Sequence, residues 1–102
     1  MSKEIKVSFE IHNRAILKKA LLQLGYVFTE TGDEIAVSGD FYMPVRFNIA
    51  HKDVSFDNMD TKKVNAIKQA YSVGYYRDQA IREGSQVAQE VMSDGSIRLR
   101  IQ

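Results

Sequence analysis

Ile5, Val7, Phe9 and Ile11 alternate with Lys6, Ser8 and Glu10. A period of two marks a strand with one buried face. The period then changes. Ile16, Leu17, Ala20, Leu21 and Leu24 fall on one helical face, with Arg14, Lys18, Lys19 and Gln23 elsewhere, which predicts a helix over 14–24. Asn13 suits its N-cap, and Gly25 stands where a helix favours a left-handed residue after its last turn.

Four short apolar runs follow: 26–30, 35–37, 45–50 and 54–57. Thr31-Gly32-Asp33, Gly39-Asp40 and His51-Lys52-Asp53 punctuate them as turns. That spacing predicts an antiparallel meander. The single proline, Pro44, precedes the third run, where a missing N–H does least harm. Asp60 can cap a second helix with Thr61 in its first turn, and Val64, Ile67, Tyr71, Gly74 or Tyr75, and Ile81 track one face. Unbroken from Thr61 to Glu83 it would be about 34 Å long, with Gly74 marking a kink or a close contact and Gly84 ending it. Runs 87–92 and 97–101 flank an Asp94-Gly95 turn, a hairpin signal. In that hairpin Ile97, Leu99 and Ile101 are expected to face inward, with Arg98 and Arg100 outward.

The expected fold class is α+β: a mostly antiparallel sheet in β-α-β-β-β-β-α-β-β order with two helices packed on one face. The 102 residues fit one domain spanning 1–102. Hydrophobic residues make up 44% and charged residues 26%, enough apolar content to form a core and to argue against disorder.

Composition removes several chemistries. There is no cysteine, so disulfides, thiolate metal sites and cysteine nucleophiles are out. The start, Met1-Ser2-Lys3-Glu4-Ile5-Lys6, has charges where a signal peptide needs an apolar stretch. No run approaches the roughly 20 apolar residues of a membrane span. A cytoplasmic location with no membrane contact is the default expectation. Fourteen basic residues meet 13 acidic ones for a net charge of +1, a balance that argues mildly against nucleic acid.

The two ends of the chain resemble a known family. The residues are Ala20-Leu21-Leu22-Gln23-Leu24-Gly25-Tyr26, Gln69-Ala70-Tyr71, and the stretch from Glu90 through Asp94-Gly95 to Leu99. They are similar to a small conserved family of unknown function, found as an open reading frame in algal chloroplasts, in cyanobacteria, and in some bacteria and phages. Family members usually carry a longer central sheet region with a tryptophan before the second helix. This chain has no tryptophan and passes directly from Phe56 to Asp60. The resemblance implies a compact α+β accessory protein and adds phages to its contexts. It brings no catalytic residues, because the family has none established.

Catalysis finds little support in the residues themselves. His12 and His51 have no metal-ligand partner at helical spacing. Asp53, Asp57 and Asp60 lack the calcium-loop pattern, and the glycines are isolated turn residues rather than a phosphate cradle. No glycine-flanked serine elbow occurs. Glu30 with Asp33 or Glu34 reads as turn chemistry before it reads as an acid–base pair. No enzyme activity, cofactor or metal is expected.

Three functional readings remain. In the first, the chain is a non-catalytic protein-interaction or modulator module, phage-encoded in the context the resemblance suggests and acting on a host or viral assembly. Its contact residues would be Phe41, Tyr42 and Met43 in a non-periodic loop and Tyr76 with Arg77 on the second helix, since Tyr and Arg are enriched at interface hot spots. In the second, it binds a small ligand or nucleotide in a pocket between the sheet and the second helix, lined by Tyr71 and Tyr75 with Arg77 nearby. In the third, a weak nucleic-acid face is built from Arg46, Arg98 and Arg100. An exposed edge strand would also allow symmetric pairing of two copies.

Overall fold

A pleated sheet sends alternate residues to opposite faces, so the apolar alternation decides which face collects the helices. The computed structural model describes residues 3–83, 87–91 and 97–101, the last two ranges by their backbone. The elements are β1 (Glu4–Ser8), α1 (Arg14–Gln23), β2 (Val27–Thr31), β3 (Glu34–Ser38), β4 (Val45–Asn48), β5 (Asp53–Asp57), a 3-10 turn (Asn58–Asp60), α2 (Thr61–Arg82), β6 (Val87–Val91) and β7 (Ile97–Ile101). The fold is α+β.

Five strands form one sheet in the order β1-β5-β4-β3-β2. Each neighbouring pair is antiparallel. The register sets Phe28 against Val37, Val37 against Val45, Ile35 against Phe47, Phe47 against Val54, and Phe56 against Ile5. These residues share a face, and on it Leu17 and Leu21 of α1 and Val64, Ile67 and Tyr71 of α2 join them in one buried cluster. Both helices therefore cover the same side of the sheet. The other face is polar: Lys6, Ser55, Arg46, Ala36 and Thr29 line up across it, one from each strand.

Several expectations need correction. β1 stops at Ser8, not Ile11. Phe9 and Ile11 still reach the core, but past Ser8 the chain turns toward α1. Asp60 does not cap α2 with its side chain. A 3-10 turn intervenes, capped by Asp57, whose Oδ1 accepts the Met59 N–H at 2.9 Å. α2 runs unbroken, so Gly74 marks a close contact: a Cβ there would lie 3.0 Å from Ile16 Cγ2. Ile81 is exposed and Ala80 is buried in its place, because a helix this long outlasts a fixed apolar stripe. β6 and β7 pair only with each other as a separate two-stranded sheet that lies against α2. The Asp94-Gly95 turn, Gly84 and the side chains of the hairpin lie outside the described residues. No helix among the described residues is long and apolar enough to cross a membrane.

Candidate functional site

Tyr71 points into the core and is almost fully buried. Its hydroxyl accepts the His12 N–H at 2.8 Å and the Asn13 N–H at 3.3 Å. These amides enter α1 and have no partner within the helix, so a core tyrosine anchors its start. A row of rings leads outward from here. Phe47 meets Phe9 at 5.9 Å between centroids, Phe9 meets Tyr71 edge-on at 5.5 Å, Tyr71 stacks with Tyr75 at 6.0 Å, and Tyr75 meets Tyr76 edge-on at 5.8 Å. Tyr75 also touches the His12 ring at 5.5 Å. The row begins at buried Phe47 and ends at Tyr76, which is 61% exposed.

One concavity lies beside the helices, without Tyr71 or Tyr75 in its described wall. It is a groove of about 590 Å³ between α1 and α2, and among the described residues those helices and the α1 cap Asn13 line it. Ala20, Ala70 and Gly74 contribute small side chains there, and Lys19, Arg77 and Arg82 add three cations. Asp78, the one carboxylate among the described lining residues, accepts from Arg82 Nε at 2.7 Å. Amides and cations there can hold an acidic group. Of the three residues proposed for a ligand pocket, only Arg77 reaches this groove. The groove escaped the sequence reading, although Ala70 and Gly74 at i,i+4 were a usable signal for close helix contact.

The aromatic loop is a second surface. Tyr42 is 68% exposed, and Phe41 and Met43 are half-buried. Phe41 packs on Tyr26 at 5.0 Å and lies under Lys63 Nζ at 5.6 Å. The loop is stapled to the start of α2. Buried Asp60 accepts the Tyr42 N–H at 2.8 Å, which explains why its carboxylate is not spent on a helix cap. Lys63 bonds Asp40 Oδ2 at 3.0 Å, and that hydrogen bond is the main cause that raises the Lys63 pKa above its ordinary value. Tyr76 sits about 22 Å further along α2 at 1.5 Å per residue. Tyr42 and Tyr76 are thus two separate surfaces.

The arginine face does not assemble through the sheet. Arg46 lies on β4, flanked by β3 and β5, while Arg98 and Arg100 lie on β7 in the other sheet. Arg46 also pairs with Glu34 at 3.5 Å, and Arg98 stands opposite Glu90. The side chains of Arg98 and Arg100 lie outside the described residues. The Glu30 and Asp33 carboxylates tie the β2–β3 turn to α1: Arg14 reaches Glu30 at 3.0 Å and Asp33 at 2.9 Å, and Lys18 reaches Glu30 at 3.0 Å. The hydrogen bonds from Lys18 and Arg14 lower the Glu30 pKa, and those to Glu30 and Asp33 raise that of Arg14. Among the described residues no three His, Asp or Glu side chains group as metal ligands.

No family model matches the chain, and neither does any curated protein or solved structure.

Proposed function

We propose that this chain is a non-catalytic interaction module that receives an acidic segment of a partner protein along the α1–α2 groove, with Tyr76 as an anchor beside it. The observation that carries the reading is the groove's described lining, in which Lys19, Arg77 and the Asp78–Arg82 pair stand beside small side chains between α1 and α2. Exposed Tyr76 and Ile81 flank the cations with apolar surface on the same helix, the combination of aromatic and arginine that dominates binding energy at interfaces. Electrostatic complementarity of this kind favours fast association and makes it salt-dependent. The resemblance noted at the two ends of the chain is compatible with such an accessory role, as a modulator of a larger host or viral assembly.

The test is affinity capture from nuclease-treated lysate, run in parallel with wild type, a Lys19→Glu, Tyr76→Ala double variant, and Tyr42→Ala. The reading expects a protein captured by wild type and by Tyr42→Ala but lost with the double variant. Capture that survives the double variant and fails with Tyr42→Ala would move the site to the aromatic loop and end the groove reading. A small molecule found in the groove by native mass spectrometry, with no protein partner, would end it as well.

A further inference from the structure

The two edges of the five-stranded sheet are built differently. The Ile49 N–H bonds the Asp33 carbonyl at 2.8 Å, which sets the phase of the ladder. Ile35 and Val37 then spend their amides on β4, leaving Glu34, Ala36 and Ser38 to β2. Their partners Thr31, Thr29 and Val27 face back toward β3. The N–H and C=O groups of Phe28 and Glu30 therefore point away from the sheet. On β1 the bonds from Asn58 N–H to Lys3 and from Phe9 N–H to Lys52 leave Glu4, Lys6 and Ser8 outward by the same phase.

Charges guard the β1 edge, as natural edge strands usually require. β2 has no such guard. Its sequence is Val-Phe-Thr-Glu-Thr, it contains neither lysine nor proline, and its one charge, Glu30, is already neutralised by Arg14 and Lys18. Exposed apolar side chains gather around it: Val27 is 69% exposed, Leu22 65% and Leu24 42%. Leu22 lies on the same helical stripe as Arg14 and Lys18, the stripe that reaches over β2 to Glu30.

We propose that β2 pairs antiparallel with β2 of a second copy of this chain, about a two-fold axis at Thr29, to give a continuous ten-stranded sheet. The strand is its own complement in this register. Phe28 and the partner's Glu30 exchange both free N–H···O=C bonds, and the symmetric pair does the same. Val27 meets Thr31 of the partner subunit, and Thr29 meets the partner's Thr29, so β-branched residues face each other. No charge faces a like charge. This register leaves the groove between α1 and α2 untouched, so the proposal is independent of the function proposed above.

The chain has no cysteine, so introduced thiols report unambiguously. At the axis the Thr29 pair is non-hydrogen-bonded, with Cα atoms roughly 4.5 Å apart, inside the range of a disulfide. Two copies of residue 31 would be roughly 13 Å apart, well outside it. Thr29→Cys should cross-link to a dimer under mild oxidant while Thr31→Cys stays a single chain. Sedimentation should give wild type twice the mass of one chain. Thr29→Lys and Thr29→Glu should each sediment as monomers and recover the dimer when mixed in equal amounts. Unchanged circular dichroism in these exposed-face variants separates loss of pairing from loss of fold. A monomeric wild type up to its solubility limit, equal cross-linking at both positions, or dimers indifferent to charge at Thr29 would each overturn the proposal.

Discussion

α1 closes within ten residues and is fastened locally at both ends. Asn13 Oδ1 accepts the Ala15 N–H at 3.0 Å, and Gly25, at φ +83°, lets its own N–H reach Leu22 and that of Tyr26 reach Leu21. That is a paired C-terminal cap, satisfying carbonyls that would otherwise be orphaned. α2 runs 22 residues with no side-chain cap at its start. It is held instead by distant contacts: Val64, Ile67 and Tyr71 against the sheet, and Gly74 against Ile16. Its later turns carry Tyr76 and Ile81 into solvent. One helix is written in its own sequence. The other is written largely in its neighbours.

The contrast breaks most visibly by deletion of apolar volume. Leu17→Ala in α1, fully buried, should cost about 2–5 kcal/mol in chemical denaturation. Ile81→Ala in α2 should stay within about 0.5 kcal/mol. A comparable loss at both sites would mean that Ile81 is covered in solution. Next comes Tyr71→Phe, which keeps the ring but strips the acceptor from the His12 and Asn13 amides just before α1 and should cost about 1–3 kcal/mol. An unchanged midpoint would show those amides content without it.

Gly74→Ala pits propensity against contact. Alanine gains about 1 kcal/mol over glycine in a helix, but its Cβ would press on Ile16 at 3.0 Å, and overpacking costs about 1–3 kcal/mol. A net loss of about 1 kcal/mol is expected, turning into a gain when Ile16→Ala clears the space. Additive effects in that double-mutant cycle would remove the close contact from the account.

The smallest effect is electrostatic. Folding lowers the Glu30 pKa below its ordinary 4.5, so the folded chain binds fewer protons there than the unfolded one. The contribution is complete above about that pH and fades as acid carries the pH down through the lowered value. Partial exposure keeps it small. Glu30→Gln should flatten this part of the acid-unfolding curve, and an identical curve in the variant would deny the tether a role.

These contrasts explain what could be read from the sequence. α1, the meander and Pro44 at the head of β4 are local patterns, and each appeared with its boundaries nearly right. The end of β1 was misjudged because Phe9 still bonds Lys52 across the ladder and Ile11 stays buried after the strand stops. Asp60 looked like a cap because the competing claim on it, the Tyr42 amide, comes from 18 residues away. The groove was harder to see for the same reason: Ala70 and Gly74 hinted at a close helix contact, but Ile16, which Gly74 approaches, lies far away in the chain. Tyr42 and Tyr76 are exposed, but nothing in the order of residues gives that exposure or their separation.

The row of rings from Phe9 to Tyr76 also has an optical consequence. With five tyrosines and no tryptophan, near-ultraviolet emission comes from tyrosine alone. Tyr71, Tyr75 and Tyr76 are in contact, so excitation absorbed by the buried member can migrate to the exposed one. The chain thus carries its own unlabelled reporter, in which whatever settles over Tyr76 would dim light gathered in the core.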